Sequence, residues 1–241
     1  MRKKLLSHWS ERDAKPDMLI LHCSAQPAEQ MVKLLEDLKL SVHYIIGERG
    51  GIIQCVEEDK SAWHAGKGFW REKNGGFNSR SIGIEISSQA LGQKPYGEAQ
   101  IKSIIGLCHN IIKKYNIKPY NVVGHSDIAP TRKPDPGIAF PWERLAQKGI
   151  GLWYDLKDAD KVKTNDVAEL LAMIGYDTSD ENTLRASAYA FCRHFLPEMV
   201  AVDNDIMHLV DNVFPHDFSF EDNEKFILAL KACAYKYSIK I

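Results

Sequence analysis

Hydrophobic positions along this chain fall into runs and periods that separate strands from helices. Met18-Leu19-Ile20-Leu21 is an unbroken apolar run closing on His22 and Cys23, the pattern of a buried strand. Met31, Leu34, Leu35 and Leu38 recur at helical spacing and predict a helix that packs this face inward. Segments His43 to Glu48 and Ile52 to Val56 flank Arg49-Gly50-Gly51 and predict a hairpin. From Arg80 to Ser87 the pattern alternates, with Ile82, Ile84 and Ile86 on one face and Gly83 and Glu85 on the other. Ile101, Ile104, Ile105, Cys108 and Ile112 mark a second helix, and Asn121-Val122-Val123-Gly124 a strand that ends on His125. Strands alternating with helices predict an α/β fold, a central mixed sheet flanked by helices. Two histidines at strand ends sit where such folds place their sites.

The pattern changes after Trp153. Residues 155–165 are charged and polar and read as a linker between a first domain, 1–154, and a helical tail, 166–241. Val167, Leu170, Leu171 and Ile174 form one amphipathic pattern, stopped by Gly175. Leu184, Ala188, Phe191, Cys192 and Phe195 form a second, stopped by Pro197, and Phe226, Ala229, Leu230, Cys233 and Tyr237 a third. Three short helices predict a small C-terminal three-helix domain without room for a large pocket of its own.

Composition narrows the class. With 44% hydrophobic and 26% charged residues the chain is neither disordered nor fibrous. No apolar run approaches the roughly 18 residues of a spanning helix. The start, Met1 to Leu6, has no apolar core for a signal peptide, so the chain reads as cytoplasmic. A periplasmic or envelope location would instead require a signal since removed. The net charge of −1 hides a split: 22 Lys+Arg against 16 Asp+Glu up to residue 154, then 9 against 16. A mildly basic front half suits a small anionic substrate, and no basic stripe marks a nucleic-acid binder. Five cysteines without tight spacing form neither a disulfide framework nor a CxxC zinc signature. No pattern in the chain bears on its oligomeric state.

The candidate chemistry lies in the first 154 residues. His22, His125 and Asp135 are ligand types that zinc takes, and three protein ligands leave a fourth position open. Their separation in sequence decides nothing alone; their local contexts do. These are Leu21-His22-Cys23-Ser24-Ala25, Ser41-Val42-His43-Tyr44, Ala62-Trp63-His64-Ala65-Gly66, Asn78-Ser79-Arg80-Ser81-Ile82-Gly83-Ile84-Glu85, Gly124-His125-Ser126-Asp127-Ile128-Ala129-Pro130 and Arg132-Lys133-Pro134-Asp135-Pro136-Gly137.

In this order the motifs resemble the zinc-dependent N-acetylmuramoyl-L-alanine amidases, with the strongest likeness to their bacterial AmpD/AmiD branch. The resemblance covers about residues 17–154. The tail is more weakly similar to a helical peptidoglycan-binding domain, at Gly175-Tyr176, Ala190-Phe191 and His194-Phe195. The resemblance implies one zinc ion held by His22, His125 and Asp135, with Glu85 as acid/base and Lys133 as catalytic cation. It further implies that His43, Trp63, His64, Asn78 and Arg80 line a groove for peptidoglycan or muropeptide fragments. Some relatives carry a catalytic tyrosine just before the position of His43; here it is Val42, so the proton work falls to Glu85. A rival reading is a peptidoglycan-binding protein that keeps the zinc site without turnover, but a pure binder has no need of both Glu85 and Lys133. A zinc protease is less suited, because no His-Glu-x-x-His helix is present.

Overall fold

The chain opens with two short strands, β1 (Arg2–Lys3) and β2 (Trp9–Glu11), before the buried strand β3 (Met18–Ser24) and helix α1 (Ala28–Asp37). Strands β4 (Tyr44–Ile46), β5 (Ile52–Gln54), β6 (Lys60–Ala62), β7 (Lys67–Trp70), β8 (Lys73–Gly76) and β9 (Ser81–Ser87) follow. Helix α2 (Glu98–Tyr115), strand β10 (Val122–Gly124) and short helices α3 (His125–Ile128) and α4 (Trp142–Ala146) come next. The tail contributes α5 (Val167–Ile174), α6 (Glu181–Phe195) and α7 (Glu224–Ser238). The computed structural model describes residues 1–200, 219–220 and 223–239, so the three tail patterns are described while parts of the expected 166–241 domain lie outside the described residues.

Six strands form one mixed sheet in the order β1-β5-β4-β9-β3-β10, in which only the β4–β5 pair is antiparallel. This is the α/β architecture that the alternating pattern predicts. Register fixes its two faces. Met18 pairs with Ser81, Ile20 with Gly83 and His22 with Glu85, and these residues share one face. The intervening Leu19, Leu21, Ile82, Ile84 and Ile86 point the other way and pack with Ile101, Ile104 and Cys108 of α2.

Helix α1 departs from its sequence pattern. Met31 is buried over Val42, Ile45 and Ile53, but Leu34 is 39% and Leu38 57% exposed. The helix covers only one edge of the sheet, and Leu34 and Leu35 line an open pocket. The strand predicted to end on His125 stops at Gly124; His125 opens α3, whose N-terminus is capped by Asp127 Oδ2 accepting from the Gly124 amide at 2.7 Å.

The tail shares a core with the sheet. Met18, Ile20 and Val123 lie in one apolar cluster with Leu170, Leu171, Phe191, Phe226, Leu230 and Tyr237. The stretch expected to be a linker carries a 3-10 helix over Leu156–Lys161 that packs against α7, with Ala159 and Val162 buried. The β7–β8 hairpin grips the tail as well. The Arg71 amide donates to the Gly175 carbonyl at 2.8 Å, and its guanidinium donates to the Ile174 carbonyl at 3.2 Å. Trp70 is 1% exposed and meets Tyr176 edge-on at 5.2 Å, so it is part of this core.

A polar junction lies within the same contact. Asp127, 1% exposed, accepts from the Tyr176 hydroxyl at 2.6 Å and lies 2.9 Å from His194 Nδ1, both tail residues. The His194 ring stacks on Trp142 at 3.9 Å. All five cysteines are free and buried. No described helix is long and apolar enough to cross a membrane.

Candidate active site

The parallel strands β3, β9 and β10 bring their carboxyl ends to one side of the sheet, where ligand sites of open α/β sheets form. His22 ends the apolar run of β3, His125 follows β10, and Asp135 lies on the loop after α3. That loop is pinned by the Ser126 amide donating to the Asp135 carbonyl at 2.9 Å. Nδ1 of His22 lies 3.0 Å from Nδ1 of His125 and 3.0 Å from Oδ2 of Asp135; His125 Nδ1 and Asp135 Oδ2 are 3.2 Å apart. Three electron-pair donors thus face one point, and no placement of protons between them satisfies every edge of the triangle. Ligand atoms about 2.0–2.1 Å from a tetrahedral zinc stand about 3.3–3.4 Å apart, so the spacing suits such an ion. His22, His125 and Asp135 are a group that could hold a metal ion, with ligand atoms all within 4.8 Å of one another.

Electrostatics agrees with that donor set. Burial foremost, with His125 beside it, pushes His22 down to about 4, so its imidazole is neutral. Burial works against ionisation of Asp135, but His125 and His22 outweigh it and hold the carboxyl well below its usual range. The outer nitrogen of each histidine is also engaged. His125 Nε2 donates to the Ala65 carbonyl at 3.0 Å, and His22 Nε2 lies 2.9 Å from His64 Nδ1.

Glu85 sits beside His22 in the β3–β9 register and lines the same pocket, of about 230 Å³, with Lys133. Its Oε2 is buried with no hydrogen-bond partner among the described residues. Burial and then the Asp135 charge push its carboxyl up to about 8, while Lys133 pulls the other way. An unpartnered carboxyl next to a metal cradle is available to hold or move a proton.

The comparisons with known proteins converge on one assignment. Residues 12–138 match the N-acetylmuramoyl-L-alanine amidase family. The chain belongs to that family. It is 38% identical over 209 residues to Escherichia coli AmiD, an N-acetylmuramoyl-L-alanine amidase, covering 76% of this chain and 75% of AmiD. It is 33% identical over 153 residues to the 1,6-anhydro-N-acetylmuramyl-L-alanine amidase AmpD of Enterobacter cloacae, covering 55% of this chain and 80% of the relative. AmiD solved with anhydro-N-acetylmuramic acid-L-Ala-D-gamma-Glu-L-Lys superposes with a TM-score of 0.74 at 31% identity, covering 95% of this chain and 93% of that one. Pseudomonas aeruginosa AmpDh3 with an anhydromuramic pentapeptide gives 0.69 at 29% identity, over 84% and 93%.

The remaining groove residues of this family member divide. Trp63, 37% exposed, and His64 line the pocket with the metal group, Glu85 and Lys133. His43 does not: it is fully buried, its Nδ1 accepts from the Gly83 amide at 3.0 Å, and it presents no surface to a ligand. Asn78 lies outside the pocket, where its Oδ1 accepts from the amides of His64, Ala65 and Gly66 at 3.2, 2.8 and 3.0 Å. It shapes the loop whose Ala65 carbonyl orients His125. Arg80 also lies outside, paired through Nε with Asp17 at 2.8 Å. Leu40, which no pattern marked, also lines the pocket, as do Ser41 and Leu34, which stood in a motif and a helix pattern without a site role. Cys23 lines it too, but burial holds its thiol well above its usual range, which leaves no thiolate nucleophile.

Proposed function

We propose that this chain hydrolyses the amide between N-acetylmuramic acid, or its 1,6-anhydro form, and L-alanine of the stem peptide, in turnover or recycling of cell-wall fragments. One zinc ion per chain, held by His22, His125 and Asp135, serves the reaction. The observation that carries this reading is the convergence of three donor atoms within 3.2 Å beside an unpartnered carboxyl. Bound there, zinc would polarise the scissile carbonyl and make a water acidic enough to attack.

The chain supplies the rest. Glu85 accepts a proton from the attacking water as the new C–O bond forms, and returns it to the nitrogen as the C–N bond breaks. Such proton transfer typically contributes ~10²–10⁴-fold. Lys133 sets a positive charge against the oxyanion that develops on the carbonyl oxygen. Trp63, at the mouth of the pocket, presents an apolar face to the bound fragment. His64 stands in the wall, and its part is set by its hydrogen bonds, described below. Residues 166–241 are assigned as a helical peptidoglycan-binding-like domain following residues 1–154.

The test is digestion of purified sacculi and of soluble anhydro-muropeptides in parallel, with mass analysis of products. Release of free stem peptide beginning in L-alanine is expected. Retention of wall fragments without cleavage, in zinc-loaded protein, would instead make the chain a binding protein. Cleavage at full rate after exhaustive chelation would remove the metal from the proposal.

A further inference from the structure

A glycine stands inside the buried strand β9, where a side chain would ordinarily be packed. A Cβ on Gly83 would lie 2.5, 2.6 and 2.7 Å from Nδ1, Cγ and Cε1 of His64. The strand is bare at this position because the His64 ring lies on it. The ring is seated between two partners. Its Nδ1 is 2.9 Å from His22 Nε2, and its Nε2 is 3.2 Å from Ser81 Oγ. Ser81 Oγ in turn donates to the Phe77 carbonyl at 2.6 Å.

The direction of this chain of hydrogen bonds follows from its far end. A carbonyl oxygen only accepts, so the single Ser81 hydroxyl proton points to Phe77. Ser81 Oγ must then accept from His64, which places the His64 proton on Nε2. His64 Nδ1 carries a lone pair and accepts from His22 Nε2–H. The other His22 nitrogen, Nδ1, is left with its lone pair facing His125 and Asp135. At His125 the same result is reached in one step, because its Nε2 meets the Ala65 carbonyl directly.

We propose that His64 is a positioning residue that fixes His22 in the tautomer able to ligate metal, with Ser81 fixing His64 and Gly83 giving the ring its seat. Metal-bound histidines usually donate to a carboxylate, a carbonyl or water, and these outer partners are worth about 10–100-fold in metal affinity. Here a third imidazole takes that part. An imidazole can present either nitrogen as acceptor, so it needs a partner of its own to fix it. The Ser81 hydroxyl, with its only proton committed to Phe77, supplies this.

The inference rests on the reading of His22 as a metal ligand, and the experiment separates the two. Zinc affinity of the full chain is measured by competition with a chelating dye for wild type, His22→Ala, His64→Leu, His64→Asn and Ser81→Ala. Long-range ¹H–¹⁵N spectra of the metal-free chain report the histidine tautomers. Expected are Nε2–H signatures for both His22 and His64 and a 10–100-fold weaker zinc affinity in His64→Leu. His64→Asn, which keeps an acceptor oxygen near the Nδ1 position, should recover most of that loss. A merely space-filling role would favour Leu over Asn. Ser81→Ala should redistribute the His64 proton between its two nitrogens. An Nδ1–H signature on His64 in the wild type, or His64→Leu binding zinc like wild type, overturns the proposal. Wild-type affinity in His22→Ala would instead overturn the metal reading beneath it.

Discussion

Replacing Tyr176 by Phe removes one oxygen from the junction between tail and sheet and leaves its packing in place. The hydroxyl donates to Asp127 Oδ1 at 2.6 Å, with Tyr176 and Asp127 each 1% exposed. Asp127 Oδ2 is served separately, by the Gly124 amide at 2.7 Å and His194 Nδ1 at 2.9 Å. The Phe variant therefore leaves one buried carboxylate oxygen without a donor among the described residues while the ring keeps its place against Trp70. A hydrogen bond to a charged group is worth about 1.5–3 kcal/mol, so a loss of about 2 kcal/mol is expected. For a chain of this size that lowers the midpoint by about 4–8 °C. Calorimetry on metal-free protein avoids the contribution of bound zinc to the midpoint. Because Tyr176 and the sheet residues Met18 and Ile20 share a core, the variant should melt earlier in a single transition. A shift below about 0.5 kcal/mol would refute the reasoning. So would a low transition belonging to the tail alone, with the sheet melting at its original temperature.

Other changes address the chemistry and the chain's integrity. Glu85→Gln keeps the shape of the pocket but accepts no proton, so turnover should fall ~10²–10⁴-fold at unchanged zinc content, measured by single-turnover assay and metal analysis. Lys133→Ala should also leave zinc content unchanged while lowering turnover. In the metal-free chain Glu85 is raised from 4.5 to about 8, so the folded state holds a proton that the unfolded state has released. That contribution is fully present below about 4.5 and lost as pH rises through about 8; stability should decline across this window, and Glu85→Gln should flatten the decline in denaturant titrations. Truncation after Tyr154 bares Met18, Ile20, Trp70 and Val123, and the shortened chain should aggregate or bind a hydrophobic dye.

Much of this was written in local pattern. The alternation Ile82-Gly83-Ile84-Glu85-Ile86 places β9, because a two-residue period has few other interpretations, and the unbroken run Met18 to Leu21 places β3 because it is too short for a buried helix. The same alternation puts Glu85 on the face opposite the isoleucines, and the structure aligns it with His22. What local pattern does not carry is the identity of the partner surface. Helix α1 has a clear apolar stripe, yet part of it turns to the pocket, because periodicity shows which side is apolar and not what lies against it. For the same reason the tail looks like a small bundle when its apolar stripes are matched only with each other. In the structure they also share a core with Met18 and Ile20, on the face of the sheet that carries His22 and Glu85. His43 and His64 illustrate the limit at single residues. Both lie in strong motifs, but one is walled in and the other bridges to His22. Gly83 was the legible hint, a glycine interrupting a strand of isoleucines where a ring comes close.

The apolar cluster that joins α5 and α7 to Met18, Ile20 and Val123 also bears on the order of events at the ribosome. Synthesis delivers the strands first and their cover last, and segments generally fold as they emerge. The strands that end in His22 and lead into His125 therefore exist for the time of about a further hundred residues with one face unclad. Tyr176 and His194, the tail partners of Asp127, emerge first, and the shared apolar cluster closes only when Phe226 to Tyr237 have left the exit tunnel. During that interval the bare strand face is apolar surface of the kind that aggregates or is held by chaperones.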